Sequence, residues 1–152
     1  MVKSLSLVLL LAMTGLLMAD PAIENIRKEA AFLRDNREKE GIQETESGLQ
    51  YQVLKEGSGP KAEKSSKVRV HYQGELLSGK IFDSSLKRGR PSEFGVTQVI
   101  AGWTEALQMM REGAKWRLFI PSKLAYGARG SGHFIGPNEL LIFEVELIKI
   151  LN

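Results

Sequence analysis

Four stretches of this chain alternate apolar and polar residues with a period of two, and no other feature narrows its fold as much. Leu49, Tyr51 and Val53 alternate with Gln50 and Gln52; Val68, Val70 and Tyr72 with Arg69, His71 and Gln73; Trp116, Leu118 and Ile120 with Lys115, Arg117 and Phe119. From Leu140 to Ile150 the same rhythm sets Leu141, Phe143, Val145 and Leu147 inward and Glu144 and Glu146 outward. Successive side chains of a strand leave opposite faces, so each stretch predicts a strand with one wet face. Gly57-Ser58-Gly59-Pro60, Ser78-Gly79-Lys80 and Gly89-Arg90-Pro91 mark turns between them. Trp103 to Met110 is the one helical pattern in this half, with Trp103, Ala106, Leu107 and Met110 on one side and Gly113 just beyond. The expected architecture is α+β, a twisted antiparallel sheet wrapped around one short helix.

An amphipathic helix precedes that sheet. Asp20 offers a capping acceptor and Pro21 a missing donor that does no harm in a first turn. Ile23, Ile26, Ala30 and Leu33 then recur at steps of three and four until the helix stops near Gly41. The narrow stripe predicts a seam against one partner helix or against the helix's own domain. Residues 1–19 read as a secretory signal, with Lys3 at its start, an apolar run from Leu5 to Met18 and a small residue, Ala19, for cleavage. A retained membrane anchor is the alternative, for which the run is short. The expected division is a signal at 1–19, a helix and linker at 20–46 and a domain at 47–152.

The absence of Cys excludes lipidation, disulfides and thiolate metal sites. The formal charge is +3, and acids and bases alternate along the chain. Lys87-Arg88-Gly89-Arg90 is the one basic knot; it reads as a solvated loop, and no aromatic residues interleave with it to stack on a nucleic acid. His71 and His133 are too few and too far apart for a metal site. Ser131 lacks the strand-to-helix elbow of a nucleophile, and Gly127 to Gly136 lacks a phosphate-loop Lys. No cofactor or metal is expected.

Of 11 aromatic residues, Tyr72, Phe82, Trp103, Tyr126 and Phe143 fall in runs where apolar walls adjoin polar atoms. Asp83 follows Phe82, Tyr126 lies in a Gly-bounded turn, and Ile100 stands three residues before Trp103. Such rings either fill a core or line a cleft. Tyr72 and Phe143 lie on inward strand faces, Trp103 is also a helix anchor, Asp83 is also a turn-capping residue, and Tyr126 is also a surface ring; both readings stand for each.

The order of Val70-His71-Tyr72, Phe82-Asp83-Ser84-Ser85, Val99-Ile100-Ala101-Gly102-Trp103, Leu124-Ala125-Tyr126-Gly127 and Leu141-Ile142-Phe143 resembles the FK506-binding-protein (FKBP) type of peptidyl-prolyl cis-trans isomerase, over residues 47–151. Glu40-Gly41-Ile42, Ser47-Gly48-Leu49-Gln50-Tyr51 and Gly136-Pro137-Asn138-Glu139 look most like its bacterial macrophage-infectivity-potentiator branch. The resemblance implies rotation of X-Pro bonds in exported, unfolded proteins, in the periplasm or outside the cell. It implies Trp103 as a floor, Tyr72, Phe82 and Phe143 as walls beside Val99, and the Ile100 N–H and Tyr126 hydroxyl as holders of peptide carbonyls. Asp83 would act at the strained carbonyl, and Phe134 and Ile135 would cover the cleft. Macrolides of the FK506 and rapamycin class are implied ligands. The chain departs from the family near Pro91, where two Phe are common: Ser92 stands in place of the first and only Phe94 is kept, which implies a lower wall. It departs again in its Gly-rich 130–136 loop, for which a more mobile flap is expected. In that branch a longer amino-terminal region makes dimers; only its last part is found here, which leaves dimerisation open. The competing function is a binding or chaperone module that keeps the cleft and does little catalysis; an inert scaffold is the third.

Overall fold

Asp20 opens the first helix as its sequence predicts: its Oδ1 accepts from the Ala22 N–H at 3.0 Å, and Pro21 follows in the first turn. The computed structural model describes residues 20–152, so the expected signal segment lies outside the described residues. Helix α1 runs Pro21–Arg37. No helix among the described residues is long and apolar enough to cross a membrane.

All sheet pairings are antiparallel, and the strands are β1 (Ile42–Glu44), β2 (Gln50–Lys55), β3 (Lys67–Leu76), β4 (Ile81–Ser84), β5 (Ser92–Gly95), β6 (Lys115–Ile120) and β7 (Leu141–Ile150). Their order is β1-β2-β6-β7-β3-β4, with β5 beside the first half of β3 and β4 beside the second. Two helices follow within the domain, the single turn α2 (Ser85–Arg88) and α3 (Ala101–Met109). The alternating residues of β3, β6 and β7 face α3, and Val68, Val70, Leu118, Val145 and Leu147 pack with Ala106, Leu107 and Met110 in one core. Gly102 lets the helix lie close to the sheet, because a Cβ there would stand 2.6 Å from the Ile120 methyl.

Three expectations change. The segment read as a linker contributes β1, which pairs Ile42 with Gln52. The outer sheet face is wet only in part, since Phe119, Leu140 and Ile142 form a second buried cluster against Phe32 and Leu33 of α1 and Ile42 of β1. Gln50, assigned to water by its alternation, is 0% exposed: it accepts from Asn36 at 2.9 Å and donates to the Leu33 carbonyl and to Glu44. A buried amide with its donors and acceptor satisfied carries little penalty, so the polar residue fits beneath the helix.

The face of α1 that docks also differs from the predicted stripe. Ala22, Asn25, Glu29, Phe32, Leu33 and Asn36 turn toward the domain, whereas Ile23 and Ile26 are each 52% exposed and Ala30 is exposed. Hydrogen bonds donated by Asn25 and Asn36 to the domain, and one that Glu29 accepts from it, set the helix's rotation. A stripe defined by apolar residues alone could not register them.

Candidate active site

Trp103 sits in the first turn of α3, 3% exposed, with its ring met edge-on from three sides. Tyr72 of β3 approaches at 5.0 Å between centroids, Phe143 of β7 at 5.2 Å and Phe94 of β5 at 5.7 Å, all within a few degrees of perpendicular. Phe82 of β4 in turn meets Phe143 edge-on at 5.5 Å. Edge-to-face contact suits the ring quadrupoles, so these positions are favourable as well as close. The rings do not close over the indole. They leave a cleft of about 210 Å³ that Trp103 lines together with Gln98, Val99, Ile100, Asp83 and Tyr126.

Local structure explains each placement. Gly74 of β3 lies beneath Phe82 and Phe143, and a Cβ there would come within 2.6 Å of both rings. Ile100 is extended (φ −58°, ψ 151°) ahead of α3, and its carbonyl accepts from Trp103 N–H and Thr104 N–H. Tyr126 is 41% exposed and lies between two 3-10 turns, Ser122–Leu124 and Gly127–Arg129.

Asp83 is fixed by a network from three elements. The Tyr72 hydroxyl donates to its Oδ2 and Arg88 Nη1 to its Oδ1, both at 2.5 Å, while Arg88 Nη2 donates to the Tyr72 hydroxyl at 3.0 Å and to Ser92 Oγ at 3.2 Å. Helix α2 makes this possible. Ser84 Oγ caps it by accepting from Lys87 N–H, the buried Ser85 Oγ accepts from Tyr72 N–H at 2.7 Å, and Gly89, in the left-handed region at φ 75°, ends it after one turn. Arg88 is thereby turned back to Asp83. Burial pushes the Asp83 carboxyl up, but hydrogen bonds from Tyr72 and Arg88, with the Arg88 charge, outweigh it and leave the group below the usual aspartate range. Burial, reinforced by the bond to Asp83, pushes the Tyr72 phenol up.

The structure brings Tyr72, Phe82, Asp83, Val99, Ile100, Trp103, Tyr126 and Phe143 to one cleft. Phe134 and Ile135 do not line it: Ile135 is buried in the main core, and Phe134 is exposed beneath the Lys80 ammonium, 5.1 Å from its ring. The Gly-rich loop closes on itself through Ser131 and Ile135, which exchange backbone hydrogen bonds. Phe94, the one Phe kept near Pro91, lines the cleft as well. Two participants escaped the sequence: Gln98 lines the cleft, and Arg88 braces Asp83 from a helical turn rather than from a solvated loop. The Asp83 to Arg88 spacing around the capping Ser84-Ser85 pair was the available signal.

Residues 59–148 match the model of the FKBP-type peptidyl-prolyl cis-trans isomerase. The chain belongs to that family. Residues 14–53 match a second family model, the domain amino terminal to FKBP-type peptidyl-prolyl isomerase. Among curated relatives, the FKBP-type 22 kDa peptidyl-prolyl cis-trans isomerase of Escherichia coli is 52% identical, over 79% of this chain and 58% of its own. The outer membrane protein MIP of Legionella longbeachae is 51% identical, over 85% and 55%. This FKBP chain thus spans a little over half the length of these relatives. The crystal structure of FkpA from Escherichia coli superposes with a TM-score of 0.82 at 40% identity, covering 85% of this chain and 60% of that one. A peptidyl-prolyl cis-trans isomerase from Pseudomonas syringae pv. tomato gives 0.81 at 43% identity, covering 88% and 98%.

Proposed function

We propose that this protein catalyses cis-trans rotation of X-Pro peptide bonds in the cleft above Trp103. The observation that carries the reading is an open apolar hollow floored by indole, beside a carboxylate locked in place by Tyr72 and Arg88. Rotation about the imide must break amide resonance, which makes the uncatalysed event slow, at tens to hundreds of seconds. No bond is cut, so no nucleophile is needed. The twisted amide has lost much of the charge separation of the planar forms and suffers less from transfer into an apolar cup, so the aromatic walls favour the transition state selectively.

In this reading the proline ring rests on Trp103 between Tyr72, Phe82, Phe94 and Phe143, with Val99 beside it. Ile100 N–H and the Tyr126 hydroxyl hold carbonyls of the peptide, and Asp83 faces the rotating carbonyl. Residues 47–152 carry the isomerase domain, and 20–46 form a docked segment continuous with its sheet. Export to the periplasm or beyond belongs to the same proposal, supported by the apolar 1–19 stretch and by a relative named an outer membrane protein. Substrates are proline-containing segments of unfolded exported proteins.

The test is catalysed isomerisation of an Ala-Leu-Pro peptide, run beside suppression of protein aggregation. Acceleration that falls on Phe82→Ala supports the proposal. Suppressed aggregation with an isomerisation rate equal to the spontaneous one would establish the binding-module reading instead.

A further inference from the structure

The loop that carries Tyr126 is held from both sides by one face of α1. Ala22, Asn25 and Glu29 recur at i, i+3 and i+7 and so share that face. On the near side the Glu29 carboxylate accepts from the Ser122 N–H and, at 3.0 Å, from the Ser122 hydroxyl. Ser122 is 6% exposed and begins the 3-10 turn that delivers the chain, through Ala125, to Tyr126. On the far side Asn25 Nδ2 donates to the Pro137 carbonyl at 2.9 Å, and Asn138 Nδ2 donates to the Ala22 carbonyl at 3.2 Å. The Asn138 N–H then donates to the Gly127 carbonyl at 2.9 Å, directly after Tyr126.

This arrangement leaves Tyr126 suspended between two anchors. The chain from Ser122 to Asn138 contains no strand of the sheet, so ladder hydrogen bonds do not fix it. A buried N–H that donates to a carboxylate is held by a charge-assisted bond, stronger than a neutral one, and removing the acceptor leaves the donor unsatisfied.

We propose that Glu29 is a positioning residue for isomerisation: by anchoring Ser122 it holds the Tyr126 hydroxyl at the rim of the cleft, which makes α1 a working part of the site. The inference rests on the reading of the aromatic cleft as the isomerase site. Tyr126 grips a peptide carbonyl in both planar and twisted forms, so the effect falls chiefly on KM.

The full chain is assayed with a proline peptide, and kcat and KM are separated. Glu29→Ala raises KM by about tenfold, the scale of one charge-assisted bond, and changes kcat by less than about twofold. Glu29→Gln keeps a carbonyl acceptor for the Ser122 N–H and restores most of the loss. In a Tyr126→Phe background Glu29→Ala adds less than about twofold, because the two substitutions act on one interaction. Phe32→Ala, which loosens the same helix at its other end, lowers Tm and leaves KM within about twofold. An unchanged KM in folded Glu29→Ala, or an equal rise with and without the Tyr126 hydroxyl, overturns the inference. Amide exchange reads the anchoring without catalysis: Glu29→Ala speeds exchange over residues 122–130 by about tenfold and leaves β3 unchanged. If the wild type fails to accelerate rotation, the site assignment falls, and unaltered exchange over 122–130 overturns the anchoring separately.

Discussion

The Tyr72 hydroxyl and the Asp83 carboxylate lie 2.5 Å apart across the β3–β4 pair, and Arg88 binds both. This makes a cleft wall and a polar rim group one unit: moving either ring or carboxylate breaks bonds on the other. Arg88→Ala removes the brace and leaves Tyr72 and Asp83 in place. We expect kcat/KM to fall about fivefold, less than a fully buried charge-assisted network would lose, because the pair is partly solvated. A peptide isomerisation assay with circular dichroism of the same sample checks it; full activity in Arg88→Ala would remove the network from the mechanism.

Two carboxyls make opposite contributions as pH changes. Asp83 is held below its ordinary value, so its stabilisation is fully present above the unfolded aspartate value of about 4 and is lost as pH falls through the depressed folded value. Glu139 behaves the other way. Its burial raises it despite Lys28, Asn25 and Lys80, so stability declines as pH climbs from the ordinary glutamate value to the raised one. Its Oε2 is buried without a partner, consistent with that penalty. Thermal unfolding across pH 2–7 should show Asp83→Asn flattening the acid limb and Glu139→Gln removing the decline; parallel curves for wild type and both variants would contradict the assignments.

Phe82 and Trp103 separate function from packing differently. Phe82 is half-buried at the cleft wall, so Phe82→Ala should cut kcat/KM by about tenfold or more and leave a cooperative unfolding transition. Trp103 is both floor and core, and Trp103→Leu should lose turnover together with about 2–4 kcal/mol of stability. Denaturant titration alongside the assay distinguishes the two; a Phe82→Ala protein with wild-type turnover would leave the cleft without one of its working walls.

Gly74 is predicted to resist substitution. A Cβ would meet both Phe82 and Phe143 at 2.6 Å, and these rings cannot retreat without closing on the cleft or on Trp103. Gly74→Ala should cost about 1–3 kcal/mol and raise KM for proline peptides. A stable Gly74→Ala variant with unaltered KM would mean that the rings have freedom absent from this packing.

The period-two stretches announced β2, β3, β6 and β7 because alternation is set by strand geometry alone, and the wording around the rings located most of the cleft. What remained hidden was non-local. Gln50 and Phe119 follow the polar side of their alternations, and only the arrival of α1 from a distant part of the chain makes those positions interior. Strands β4 and β5 are four residues each, too short for a period to emerge. Arg88 looked like one charge among several until the Ser84 cap and the Gly89 stop turned it back on Asp83. Ser92, read as lowering one wall, also serves as a hydrogen-bond acceptor for that arginine.

The strand closest to the end of the described chain, β7, lies in the middle of the sheet, between β6 and β3. A nascent polypeptide therefore cannot join its β1-β2-β6 leaf to its β3-β4-β5 leaf until residues 141–150 have been translated, and Phe143 reaches the hollow on that same strand. Assembly of the binding surface is then a late, long-range closure rather than a gradual accretion. A truncation before Leu141 should leave two disconnected leaves with exposed edges, a substrate for chaperones in its own right.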